Sequence, residues 1–248
     1  MDRRTALVVE DDADIASAIE RSLVLAGFEV TIATTGEAAI TEASSLRPDL
    51  VTLDLSLPGV DGLEVCRRIR ALSDCYIIVV SARRDEVDRL TGLEVGADDF
   101  ITKPFSVREL QARVAALFRR PRSRLTAPTT TRPADAVGAV GAAGAGRTVL
   151  DCGSGLEVDP EAREVTIHGT PVDLTRTEFD LLAHLASRPG VVIGRGEVLR
   201  SIWSTDFVPE DTHNVDVHLA NLRRKLRRHS SARWIHTVRG VGLRLDRG

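Results

Sequence analysis

Leu50-Val51-Thr52-Leu53-Asp54-Leu55-Ser56-Leu57-Pro58-Gly59 decides how the first half of this 248-residue chain is read. Four apolar or β-branched residues that run into a carboxylate and then a Pro-Gly turn describe a short buried strand with a charge at its C-terminal end. Similar runs lie on either side: Ala6 to Val9, Val30 to Ala33, Ile77 to Val80 and Phe100 to Thr102. Between them, apolar residues recur at helical spacing, as in Ile15, Ile19 and Leu23, or Leu63, Cys66 and Ile69. Strand and helix therefore alternate with a period of roughly 22 to 25 residues, the rhythm of a parallel sheet covered on both faces. Five such units predict a doubly wound α/β domain over 1–120, with its ligand site at the C-terminal ends of the strands.

Those strand ends carry chemistry. Asp11 and Asp12 follow the first run, Asp54 the third, Ser81 the fourth, and Lys103-Pro104 the fifth. Each alone reads as a helix cap or a solvated side chain. Together, three carboxylates in one cleft call for a divalent cation, and an all-oxygen set favours Mg²⁺ or Mn²⁺ over zinc. With a hydroxyl and an ammonium added, the set has the parts of a phosphoryl-transfer site. Asp54 would be the nucleophile that forms an acyl phosphate, Lys103 would neutralise phosphoryl oxygens, and Ser81 would hydrogen-bond one of them.

Residues 121–147 are rich in Pro, Gly, Thr and Ala with no amphipathic period and read as a flexible linker. Beyond it, 148–248 opens with short strands, Leu156 to Val158 and Val165 to His168. Helices follow over Thr175 to Ser187, Arg195 to Trp203 and Thr212 to Arg228, and a hairpin closes the chain around Gly240-Val241-Gly242. Three helices closed by a hairpin predict an α+β winged helix. From Thr212 onward nine basic side chains face only two acidic ones, inside a chain of net charge -3, which points to a polyanionic partner. In the last helix Val215, Leu219, Leu222 and Leu226 form a buried stripe. Asn214, Val217, His218, Asn221, Arg223, Arg224 and Lys225 are left to meet double-stranded DNA, and Arg239 at the hairpin tip is left to reach a minor groove.

Cys66, Cys75 and Cys152 are odd in number and lack metal-ligand spacing, which suits buried thiols in a reducing compartment. No apolar run approaches the roughly 18 residues of a membrane span, and no signal-peptide core follows Met1. A cytoplasmic protein with no membrane partner is expected.

The motifs Val8-Val9-Glu10-Asp11-Asp12, Asp54 to Gly62, Val80-Ser81-Ala82 and Gly96-Ala97-Asp98-Asp99-Phe100-Ile101-Thr102-Lys103-Pro104-Phe105 resemble a response-regulator receiver of flavodoxin-like fold. Leu174 to Leu182, Val215 to Leu226 and Thr237 to Gly242 resemble the winged helix-turn-helix of the OmpR/PhoB family. The resemblance implies a two-component response regulator, not an enzyme. A sensor histidine kinase would phosphorylate Asp54, and the regulator would then dimerise and bind promoter DNA. It further implies that Asp12, Asp54 and the Ser56 carbonyl bind Mg²⁺ directly, that Asp11 acts through water, and that the Lys103-Pro104 bond is cis.

By the same resemblance, Ser81 and Phe100 form the switch, with Phe100 where many relatives carry tyrosine. Arg89, Asp98, Asp99, Glu109, Arg113 and Arg120 match intermolecular ion pairs of a symmetric dimer. Ser204 to Asp211 matches a loop that contacts RNA polymerase in some members, and His213 stands where arginine is common. Two other readings are weaker. An aspartyl phosphatase would want a second acid where Ser56 stands, and a phosphorylation-independent regulator would have lost cleft residues that are all present here.

Overall fold

A computed structural model describes residues 3–82, 91–118, 149–203 and 213–247, with the backbone alone at 213. The N-terminal part runs β1 (Arg4–Val9), α1 (Ala13–Leu25), β2 (Phe28–Ala33), α2 (Gly36–Leu46), β3 (Leu50–Leu53), α3 (Gly62–Leu72), β4 (Tyr76–Ser81), α4 (described over 91–94), β5 (Asp99–Thr102) and α5 (Val107–Phe118). All five strands are parallel, in the order β2-β1-β3-β4-β5. Alternate strand residues face opposite layers. Leu7, Val9, Val51, Leu53, Ile77 and Val79 pack with Val65, Cys66 and Ile69 of α3. Ala6, Val8, Leu50, Ile78, Val80 and Ile101 pack with Ile19 and Leu23 of α1 and with Leu110 and Val114 of α5. The chain leaves β1 for β2 on one side and returns to β3 on the other, so a crevice opens at the C-terminal ends of β1 and β3. Asp54 lies in it, tied to β1 by its amide donating to Val9 O at 3.0 Å.

The C-terminal part begins with an antiparallel sheet of β6 (Leu150–Asp151), β7 (Leu156–Asp159), β8 (Glu164–Ile167) and β9 (Thr170–Pro171). β6 and β9 are two residues long, too short to leave a periodic signal in the sequence. α6 (Arg176–Ala186), α7 (Arg195–Trp203) and α8 (His213–Arg227) follow, then the hairpin β10 (Ile235–Val238) and β11 (Gly242–Leu245). A capping box starts α6, with Thr175 accepting from the Glu178 amide while the Glu178 side chain accepts from the Thr175 amide. Val215, Leu219, Leu222 and Leu226 face the core of this part, as their spacing predicts. All three cysteines are free and buried, and burial pushes the Cys66 thiol up to about 12. The linker 121–147 lies outside the described residues.

Candidate functional site

The crevice gathers Asp54, Glu10, Asp11, Lys103 and Ser81. Lys103 Nζ lies 2.6 Å from Asp54 Oδ2 and 2.7 Å from the Glu10 carboxylate, and the Lys103-Pro104 peptide is cis. The Ser56 amide donates to Asp54 Oδ1 at 2.8 Å, and Ser81, fully buried, closes β4 beside the Lys103 backbone. Burial alone would lower the Lys103 ammonium, but Asp54 and Glu10 outweigh it and hold the group above its ordinary value. Burial pushes the Glu10 carboxyl up. Glu10, Asp11 and Asp54 each offer an oxygen, all within 4.8 Å of one another. One lysine against three carboxylates leaves this all-oxygen cluster short of positive charge, and that deficit suits a hard divalent cation.

Asp12 is not part of the cluster, contrary to expectation. Its Oδ1 accepts from the amides of Asp14 (2.9 Å) and Ile15 (3.1 Å), which makes it the N-cap of α1 and turns it out to solvent. Glu10 takes the inward position instead. Val9 is the last residue of β1, so Glu10 and Asp11 lie directly at the strand end, and the chain has already turned into the helix at Asp12. Glu10 stands within the Val8 to Asp12 motif, but as the residue before an acid pair it carries no local mark of that role.

β5 joins this crevice to the C-terminal part. Lys103 follows its last residue, and Asp98 and Asp99 stand at its other end, a strand length of about 16 Å away. Asp98 is fully buried. Its Oδ2 accepts from Arg70 (2.7 Å) and from the Ile77 amide (2.9 Å), and its Oδ1 accepts from the hydroxyl of Thr177 on α6 (2.7 Å). Burial pushes its carboxyl up, but Arg70 and these donors outweigh that and keep it below its usual range. The Asp98 carbonyl also meets Trp203 Nε1 (3.4 Å) and His218 Nε2 (3.2 Å). Asn214 donates to Asp99 (3.3 Å), Asn221 donates to Leu93 O (3.2 Å), and Val217 sits among the apolar residues beneath α4. At the border of this contact Arg176 pairs with Asp74 and lies 4.9 Å over the Tyr76 ring.

The side of α8 expected to face DNA is therefore packed against α4 and β5. Asn214, Val217, His218 and Asn221 are all buried. Lys225 is drawn to Glu178 (2.7 Å), and Arg223 bonds Ile235 O and Thr237 Oγ1 of the hairpin. Arg224 and Arg239 are exposed. Among the residues expected in dimer ion pairs, Arg113 reaches Asp99 (2.9 Å) and Glu109 (3.0 Å) within the chain, and Asp98 pairs with Arg70. Arg89, Arg120 and the loop 204–211 lie outside the described residues. Sequence reasoning missed Arg70, Thr177 and Trp203, because nothing local marks a residue that meets a partner some 28 to 105 positions away.

Comparison with known proteins matches residues 6–115 to the family described as response regulator receiver domain and 169–245 to transcriptional regulatory protein, C terminal. Transcriptional regulatory protein PrrA of Mycobacterium leprae is 44% identical over 237 residues, 95% of this chain and 93% of that relative. Sensory transduction protein RegX3 of Mycolicibacterium smegmatis is 38% identical, covering 98% of this chain and 99% of its own. A solved structure of a RitR mutant covers 99% of this chain and 100% of its own, with a TM-score of 0.70 at 25% identity. Among the described residues, no helix is long and apolar enough to cross a membrane.

Proposed function

Because the chain belongs to the OmpR/PhoB-type response regulators, with a receiver joined to a DNA-binding winged helix, we propose that Asp54 is its phosphoacceptor and that phosphorylation frees α8 for promoter DNA. The supporting observation is the two-ended role of β5: Lys103 touches Asp54 at one end, and Asp98 and Asp99 hold the DNA-reading side of α8 at the other.

Glu10, Asp11 and Asp54 would hold Mg²⁺, with the Ser56 carbonyl as a further oxygen. The cation would supply charge neutralisation for the phosphoryl oxygens. Asp54 Oδ attacks the phosphorus of a sensor kinase's phosphohistidine, the bond to the imidazole breaks, and Lys103 exchanges its ion pair with Asp54 for one with the phosphoryl group. Ser81 then follows that group, and the buried Phe100 ring is free to repack beside it. β5 carries Phe100 and runs directly into Lys103, so these movements act on the Asp98 and Asp99 contacts.

The closed arrangement and the dimer compete for one surface. α8 covers Asp98 and Asp99, which with Arg89, Glu109, Arg113 and Arg120 would form the two-fold interface between receivers. Asn214 Oδ1 is buried without a hydrogen bond among the described residues, a cost that opening relieves. Once released, Asn214, Val217, His218, Asn221, Arg224 and Lys225 would enter the major groove with Arg223 on the phosphates at its border, Arg239 would reach the minor groove, and 204–211 would be available to RNA polymerase. We place this cycle in the cytoplasm, with receiver, linker and winged helix over 1–120, 121–147 and 148–248. Acetyl phosphate with Mg²⁺ should add one phosphoryl group to the wild type and none to Asp54→Asn, and should tighten binding to a tandem-repeat promoter site. Equal dimerisation and DNA affinity of the two proteins in the presence of the phosphodonor would refute the reading.

A further inference from the structure

At 3.6 residues per turn, α8 presents three sectors. Asn214, Val217, His218 and Asn221 face the receiver, and Val215, Leu219, Leu222 and Leu226 face the core. Arg223 lies roughly 170° and Arg227 roughly 130° round the helix from the receiver sector. They border a concavity of about 240 Å³ whose other walls include Arg233, Trp234, His236 and Thr237 from the hairpin side. Among the described residues no carboxylate lines it. Arg227 and Arg233 are exposed and form no ion pair among the described residues. Arg223 is held in place by Ile235 O and Thr237 Oγ1, and burial, followed by the nearby Arg227, lowers its pKa. Like charges four residues apart on a helix repel. Asp216 partly offsets the charge of Arg223, but Arg227 and Arg233 face the recess with no acid among its described walls.

We propose that this concavity binds backbone phosphates of duplex DNA while the chain is closed, so that the receiver withholds base reading from α8 without withholding DNA. The inference rests on the reading of α8 as the DNA-contacting helix. Its ground is geometric: closure covers one sector of α8 and leaves the opposite, basic sector open. The unphosphorylated regulator then stays on DNA through phosphate contacts that are indifferent to sequence, and phosphorylation changes specificity more than occupancy.

The test uses full-length Asp54→Asn, which receives no phosphoryl group, and a labelled mixed-sequence duplex of about 25 base pairs titrated by anisotropy at several salt concentrations. Binding should weaken steeply with salt. Replacing Arg227 and Arg233 together by Gln should reduce the slope of log K against log salt by about 2, and replacing both by Lys should retain it. Hydrogen exchange over 214–222 should stay as slow with the duplex bound as without it. Absent binding at low salt, an unchanged slope in the Gln variant, or faster exchange on adding DNA would each overturn the proposal. So would tripolyphosphate binding with the same arginine dependence where the duplex does not bind. Failure of the underlying reading shows separately, as phosphorylated wild type that binds every duplex equally.

Discussion

Thr177 and Asp98, 79 residues apart in the chain, meet side chain to side chain at 2.7 Å, and neither is exposed to solvent. The carboxylate is already held by Arg70, so the hydroxyl meets a fixed, charged acceptor that needs no further partner for the receiver to fold. The bond therefore contributes to closure more than to the stability of either part.

Thr177→Val keeps the shape of the side chain and removes the donor. A hydrogen bond to a charged group is worth about 1.5 to 3 kcal/mol, so the closed population should fall by roughly 10- to 150-fold relative to the open one. The unphosphorylated variant should gain sequence-specific DNA affinity, measured by anisotropy on a promoter duplex. Unchanged affinity, with a normal thermal transition, would remove this bond from the switch.

Closure should weaken in acid. Burial holds the His218 imidazole below its ordinary range, although Asp98, Glu178 and Asp99 pull the other way, whereas the open chain exposes it. A group whose pKa is depressed in the closed state stabilises closure fully above the open-state value of about 6.5, and that stabilisation is lost as pH falls below it. Each unit below should cost up to about tenfold in the closed-to-open ratio, until the closed-state pKa is reached. Hydrogen exchange over 214–222 between about pH 5.5 and 7.5 reads this directly, corrected for intrinsic rates, and His218→Gln should flatten the profile.

Glu10 and Asp12 should respond oppositely. Glu10→Gln removes a charge from the three-carboxylate cluster and should weaken Mg²⁺ binding at least tenfold by calorimetric titration. Asp12→Ala should leave Mg²⁺ affinity within about twofold and lower stability by about 1 kcal/mol through loss of the α1 cap. The reverse pattern would restore Asp12 to the metal site.

Gly242→Ala should damage the hairpin. A Cβ there would stand 2.1 Å from Ile193 O, where Leu243 and Ile193 exchange backbone hydrogen bonds. Neither backbone can yield without breaking that bridge, so a loss of about 3 kcal/mol or more is expected from chemical denaturation. A value below about 1 kcal/mol would mean that the hairpin moves as a body.

The strands, the crevice and the buried stripe of α8 were legible because each is a local pattern. Apolar runs ending on acids, lysine or serine locate the strand ends, and a four-three-four spacing from Val215 to Leu226 locates the core side of a helix. Local pattern also misled: adjacent acids at 11 and 12 look equivalent, yet the backbone turns between them and sends Asp12 to the helix cap.

What the sequence alone determined is the inventory of the chemistry, with Asp54, Lys103 and Ser81 at successive strand ends and a helix polar on the side opposite its apolar stripe. Only the tertiary structure decided where that polar side goes. Asn214, His218 and Asn221 bond as readily to Asp99, to Asp98 and to Leu93 O as they would to a base edge, because amide and imidazole groups take whichever acceptors are brought within about 3 Å. Composition names the donors. The packing of β5 against α8 decides which acceptor they meet, and so whether the helix is hidden or free.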